Sequence, residues 1–233
     1  MSINKEKYQG LIAELNDKAT LVAVSKTKPA EDIQTLYDLG QRDFGENYVQ
    51  ELVDKHELLP KDIRWHFIGH LQSNKVKYIA PFVHLIHGID SEKLLLEINK
   101  QAGKSGRTIP CLLQVHIAKE ETKFGFDEKE LKELIARIKN QSSLPAGGLH
   151  EFKNVKIEGL MGMASFSDDL DLVRNEFHSL KEMYDTCSPL STSNYQLSTL
   201  SMGMSGDYKI ALEEGSNMVR IGSLLFGERN YQK

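Results

Sequence analysis

Cysteine is scarce in this 233-residue chain: Cys111 and Cys187 are the only two. They are too few and too far apart for a disulfide framework or a Cys-rich metal centre, so a reducing, cytoplasmic setting is expected. No uncharged apolar run approaches the about 18 residues of a transmembrane helix, and no membrane association is expected. The N-terminus, Met1-Ser2-Ile3-Asn4-Lys5-Glu6-Lys7, has no apolar signal core behind its charges. Positive charge is not in excess either. Lys and Arg number 29 against 33 Asp and Glu, for a net charge of -4. That balance argues against a general nucleic-acid binder, which is ordinarily basic. A Gly-rich dinucleotide turn is also missing after the first predicted strand, where Lys26-Thr27-Lys28-Pro29 stands instead.

What is present is alternation. Apolar residues make up 40% of the chain and charged residues 27%, a soluble globular balance. Tyr8, Leu11, Ile12 and Leu15 predict a helix over Lys5 to Leu15. The run Leu21 to Ser25 predicts a buried strand, and Glu31 to Leu39 a helix stopped by Gly40. Asp43 to Gly45 reads as a strand, Glu46 to Leu59 as a helix, and Trp65 to Gly69 as the third strand. A short helix capped by Ser73 follows to Ala80, then a strand over Phe82 to Ile89 and a helix carrying Leu94 to Ile98. Ile109 to Ile117, Val155 to Ala164, Gln196 to Met202 and Met218 to Ile221 complete eight strands. Between and after them come helices at Glu128 to Ile138, Asp168 to Tyr184, Tyr208 to Glu214 and a last turn at Leu224 to Phe226. Eight strand–helix units of about 25 to 30 residues predict a single (β/α)₈ barrel over residues 1–233. A doubly wound open sheet is the alternative.

In such barrels chemistry sits at the carboxyl ends of the strands. Those ends collect Ser25, Lys26, Glu46, Asn47, Gly69, His70, Met163, Ala164, Ser165, Ser201, Gly203, Arg220, Gly222 and Ser223. One amine, one guanidinium, hydroxyls and glycines, with little carboxylate, suit an anionic ligand bearing a phosphate and an aldehyde. Lys26 closes a buried strand, and a partly desolvated lysine there is a Schiff-base nucleophile; the alternative is a solvated loop cation. Gly222-Ser223, before a helical turn, predict a phosphate cradle with help from Ser201 and Ser205, or else a plain helix cap. Arg220 shares its strand face with Gly222, and a structural ion pair is its alternative role.

The histidines carry less. His66 and His70 flank a strand and a turn rather than one helix face, so a zinc pair is excluded. His84 and His87 lie on opposite faces of a strand, and all four read as satisfied or exposed. Met161, Met163, Met202 and Met204 read as barrel filler, with Met163 in reach of a bound ring.

Several blocks resemble the pyridoxal 5′-phosphate (PLP) homeostasis proteins, the YggS/PROSC family. They are Ala23-Val24-Ser25-Lys26-Thr27-Lys28-Pro29, Phe44-Gly45-Glu46-Asn47-Tyr48-Val49-Gln50-Glu51 and Trp65-His66-Phe67-Ile68-Gly69-His70-Leu71-Gln72-Ser73-Asn74-Lys75. Gly159-Leu160-Met161-Gly162-Met163-Ala164, Leu200-Ser201-Met202-Gly203-Met204-Ser205-Gly206-Asp207 and Val219-Arg220-Ile221-Gly222 complete the set. They run in the family's order along nearly the whole chain. The loop Leu144 to Glu151 departs from the pattern as an insertion remote from these blocks.

The resemblance implies a fold-type III PLP barrel similar to the N-terminal domain of alanine racemase. It implies PLP on Lys26 as a Schiff base, its phosphate on Ser201, Gly222 and Ser223, and Arg220 facing the pyridine nitrogen. Asn47, His66, Met163 and Met202 are expected around the ring. An arginine at that nitrogen disfavours its protonation and makes the cofactor a weaker electron sink. The expected function is PLP binding and homeostasis without catalysis, with PLP-dependent apo-enzymes as partners and a monomer as the working unit. The alternatives are an amino-acid racemase-like enzyme and a phosphate-binding barrel without PLP. Racemisation needs an acid–base group on each face of the α-carbon. Lys26 serves one, a second domain to supply the other is not expected, and Tyr48 and Tyr231 have no motif behind them.

Overall fold

A computed structural model describes residues 3–118, 124–140, 152–188 and 194–227. The Leu144 to Glu151 loop and Tyr231 lie outside these. Eight parallel strands close a barrel in sequence order: β1 (Thr20–Val24), β2 (Asp43–Glu46), β3 (Arg64–Phe67), β4 (Leu85–Ile89), β5 (Ile109–Gln114), β6 (Val155–Met161), β7 (Tyr195–Met204) and β8 (Met218–Ile221). Closure comes from β1 beside β8, in the register Thr20↔Met218, Leu21↔Val219, Val22↔Arg220 and Ala23↔Ile221. The helices are α1 (Lys5–Leu15), α2 (Ala30–Asp38), α3 (Val49–Leu58), α4 (Val76–Ile79), α5 (Glu92–Lys104), α6 (Glu128–Asn140), α7 (Leu170–Cys187), α8 (Tyr208–Glu213) and α9 (Ser223–Phe226). The barrel expectation holds and the open sheet is excluded.

Strand alternation divides the apolar residues into two cores. The larger lies between sheet and helices, where α2 buries Ile33 and Leu36 and α7 buries Val173, Phe177 and Leu180. Each such side chain contributes about 1.5–3 kcal/mol. The smaller core lies inside the barrel and joins Val22, Leu85, Leu112, Met161 and Met218, with Met163 packed against it. Gly45 leaves the room that Val22 and Ile68 fill, since a Cβ there would lie 3.0 Å from Val22 Cγ1 and 3.1 Å from Ile68 Cδ1. Met202 belongs to the outer core and Met204 is exposed, so neither fills the barrel as predicted.

Element ends shift from expectation for local reasons. Helix α3 starts at Val49 rather than Glu46, because Glu46 still pairs in β2 with Phe67 of β3. Ser73 opens a 3₁₀ turn, Ser73–Lys75, and makes no cap; Ser91 does cap α5, accepting from Leu94 N–H at 3.4 Å. Strand β6 stops at Met161, three residues short of Ala164, while β7 runs on to Met204.

Candidate ligand site at the carboxyl mouth

Strand β1 delivers Lys26 to a tight turn at the carboxyl mouth. The amide of Lys28 closes back on Ser25 O at 3.0 Å, and Thr27 takes a left-handed φ of 63°. For a β-branched residue that conformation is strained, so something must hold the turn. A buried ionic cluster does. Lys55 of α3 donates from Nζ to Ser25 O at 2.8 Å, to Glu46 Oε1 at 2.7 Å and to Glu51 Oε1 at 2.7 Å. Ser25 Oγ donates to Glu46 Oε1 at 2.6 Å, and Thr27 N–H donates to Glu51 Oε1 at 2.6 Å. Both neighbours of Lys26 are therefore tied to one charged group of residues. Burial pushes the Glu46 carboxyl above its ordinary pKa, and attraction to Lys55 opposes that rise.

The turn borders a cavity of about 440 Å³, within the range of small-molecule sites. Lys26, Asn47, Met163, Arg220, Gly222 and Ser223 all line it. Asn47 Oδ1 is buried without a donor, an acceptor awaiting a partner. The loops after β7 and β8 meet at one end of the cavity, where Gly222 N–H donates to Ser205 Oγ at 3.2 Å. The Ser205 hydroxyl proton stays available for another acceptor. Lys28 lines the same cavity and donates to Phe226 O at 2.8 Å, tying the β1 turn to the end of α9. This is the corner where barrels commonly hold phosphate.

Arg220 is buried and spends three bonds on fixed acceptors. It donates to Ser201 O at 2.9 Å, to Ser201 Oγ at 2.6 Å and to Gly162 O at 3.0 Å. Burial lowers its pKa to about 10, with the Asp207 charge opposing. Ser201 Oγ also lies 3.4 Å from His87 Nδ1, His87 Nε2 lies 2.9 Å from His66 Nδ1, and His66 Nε2 lies 3.0 Å from Asp43 Oδ1. A polar chain thus crosses the barrel interior from Arg220 to Asp43, which itself pairs with Arg64.

Three predicted residues sit off the cavity wall. His66 lies deeper, within that chain; Ser201 acts through Arg220; Met202 points into the outer core. Ser201 faces inward, so its neighbour Met202 must face outward. His70 pairs with Asp90 at 2.9 Å, well apart from His66's partners. Tyr48 is exposed and lines a neighbouring groove that shares Asn47 with the cavity. Sequence reasoning missed Lys55, Glu51, Lys28 and the chain through His87. The similar spacing of Asp43, His66 and His87, 23 and 21 residues apart on β2, β3 and β4, was the available signal for the last.

The family model for the N-terminal domain of alanine racemase matches residues 4–230. The pyridoxal phosphate homeostasis protein of Aquifex aeolicus is 43% identical over 214 residues, spanning 91% of this chain and 88% of that protein. This chain belongs to the pyridoxal phosphate homeostasis protein family. The Escherichia coli member is 38% identical over 221 residues, spanning 93% of this chain and 88% of its own. Among solved structures, PipY, the COG0325 family member of Synechococcus elongatus, with PLP bound, superposes with a TM-score of 0.83 at 32% identity. That match covers 95% of this chain and 99% of PipY. Alanine racemase from Clostridium difficile shares the barrel, with a TM-score of 0.74 at 13% identity over 98% of this chain and 57% of the racemase.

Proposed function

We propose that this protein binds PLP in the carboxyl-mouth cavity, attached covalently to Lys26, and serves PLP homeostasis rather than turnover. The observation that carries the reading is the placement of Lys26 and Arg220 on one cavity, with the Ser205, Gly222 and Ser223 corner beside them. The relatives named for PLP homeostasis and the PLP-bound PipY support it. The residues fit the group, because the unpartnered Asn47 Oδ1 supplies an acceptor that the chain's own donors leave unused.

When bound, the cofactor supplies an aldehyde and an electron-accepting ring. Lys26 takes up that aldehyde with loss of water, and the Lys55 cluster holds the lysine's turn in place. Ser205, Ser223 and the backbone N–H groups at the start of α9 face the phosphate. Arg220 faces the ring nitrogen, and its fixed positive charge keeps that nitrogen unprotonated. Met163 packs on the ring, and Ser201 and His66 act on it through Arg220. PLP-dependent apo-enzymes are the recipients. A single barrel is the proposed working unit. The cytosol is the setting, in keeping with the scarcity of cysteine and the burial of both Cys111 and Cys187; no helix among the described residues is long and apolar enough to cross a membrane.

Purified protein is expected to show visible cofactor absorbance that borohydride fixes onto the peptide containing Lys26. In Lys26→Ala that fixation is lost. Equal absorbance and equal fixation in Lys26→Ala would overturn the assignment.

A further inference from the structure

At the opposite, amino-terminal mouth, Asp43, His66 and His84 each offer one ligand atom, all within 4.8 Å of one another. They come from two adjacent strands and the residue that leads into a third. Asp43 opens β2, His66 lies in β3, and His84, held by its N–H to Trp65 O at 2.8 Å, immediately precedes β4. The His66 and His84 rings are 5.4 Å apart, Asp43 and His66 are buried, and His84 is open to solvent. We propose that these three residues bind a divalent transition ion of the zinc or cobalt type, at a site separate from the carboxyl-mouth cavity.

The chemistry of the donor set selects that class. Two imidazoles and one carboxylate suit a borderline ion, and calcium or magnesium would demand more oxygen. His66 is already oriented for it, because its Nδ1 is taken by His87 and its Nε2 faces Asp43. A fixed partner on the second ring nitrogen is the usual support of a ligating histidine. The competitor is Arg64, which grips both Asp43 oxygens, with Nε to Oδ1 at 2.7 Å and Nη2 to Oδ2. Its side chain is 47% exposed, so it can release Asp43 into water while the ion takes over as counter-charge.

Ion binding would also reverse the chain through the barrel. Arg220 can only donate and a carboxylate can only accept. Without the ion, every hydrogen therefore points one way, from Arg220 to Ser201, His87, His66 and Asp43. An ion on His66 Nε2 moves that ring's hydrogen to Nδ1. His66 then donates to His87 Nε2, and His87 Nδ1–H donates to Ser201 Oγ. Ser201 and both rings remain neutral and no proton is lost. The Ser201 hydroxyl, beside Arg220, must turn to a new acceptor. This coupling, unlike the ion site, rests on the PLP reading above.

The test is Co2+ titration of the PLP-free protein, followed by its d–d absorption, and of the PLP-loaded protein, followed by cofactor absorbance. Wild type is expected to bind one Co2+ with nitrogen ligation, His84→Ala to weaken binding at least about tenfold, and Arg64→Met to tighten it. Unchanged binding in both variants would overturn the site. In the loaded protein, Co2+ is expected to shift the cofactor band in wild type but not in His84→Ala. Binding without a shift would overturn the coupling and leave the site standing. Failure of PLP to bind leaves the PLP-free titration as an independent measure of the site.

Discussion

Lys55 and Ser25, thirty residues apart in sequence, are joined by a 2.8 Å bond from the buried ammonium to a backbone carbonyl. The bond sits one residue before Lys26, so a helix on the barrel's outside sets the position of an amine at its mouth. Lys55→Met would leave the Glu46 carboxylate buried without its cation, a loss of about 3–5 kcal/mol by analogy with broken buried pairs. Chemical denaturation measures that loss, and borohydride labelling of Lys26 is expected to slow in parallel. Glu46→Gln combined with Lys55→Met should regain part of the stability, since the uncompensated charge is then gone. No regain would mean that packing, not charge, holds the turn.

Asp43 predicts the acid behaviour. Burial raises its pKa, but the hydrogen bonds and charges of Arg64 and His66 outweigh that and hold it well below its ordinary value of 3.8. A depressed carboxylate contributes stability that is complete above its unfolded pKa and is lost as pH falls through the folded one. Glu46 opposes this: its raised pKa gives stability at low pH that is lost as pH rises through its folded value. Wild type is therefore expected to lose stability on acidification below about pH 4, and Asp43→Asn to show a flatter acid limb from a lower neutral plateau. Denaturant midpoints across this range give the comparison. Equally steep limbs would remove Asp43 as the source.

Gly159 and Gly206 predict opposite outcomes for the same substitution. A Cβ on Gly159 would fall 1.9 Å from Thr199 O, where β6 and β7 approach each other across a register shift. Gly159→Ala must push two paired strands apart, at a cost of about 3 kcal/mol or more. Gly206 has nothing within 4 Å of its missing Cβ, and Gly206→Ala is expected to change stability by less than about 0.5 kcal/mol. Thermal denaturation of the two variants side by side decides the matter.

Much of the barrel was legible because its strands are short apolar runs at a steady spacing, and Lys26, Asn47, Arg220 and Gly222 could be placed at strand ends by counting. The sequence was less informative wherever one residue of phase matters. Ser201 was expected at the phosphate and Met202 at the ring, yet adjacent strand residues must diverge, and only the barrel's closure reveals which one faces in. Lys55 was hidden for another reason. On a helix of ordinary amphipathic pattern, a lysine four residues after Glu51 reads as a surface pair. Its burial depends on β2 ending at Glu46 directly beneath it, a long-range fact that no local pattern carries. The Arg220-to-Asp43 chain likewise joins β2, β3, β4, β7 and β8, and each member alone is an unremarkable polar residue.

The seam of the barrel lies between β1 and β8, with Val22 opposite Arg220. Lys26 follows β1 and Arg220 belongs to β8, the two strands whose pairing closes the barrel. The two halves of the cavity are therefore separated during synthesis by almost the entire chain. A barrel without β8 has only one of them, so on the function proposed above the coenzyme would be captured only once β8 is seated. On that reading loading would report a closed barrel, and a chain truncated before β8 would carry Lys26 without Arg220 on the cavity wall.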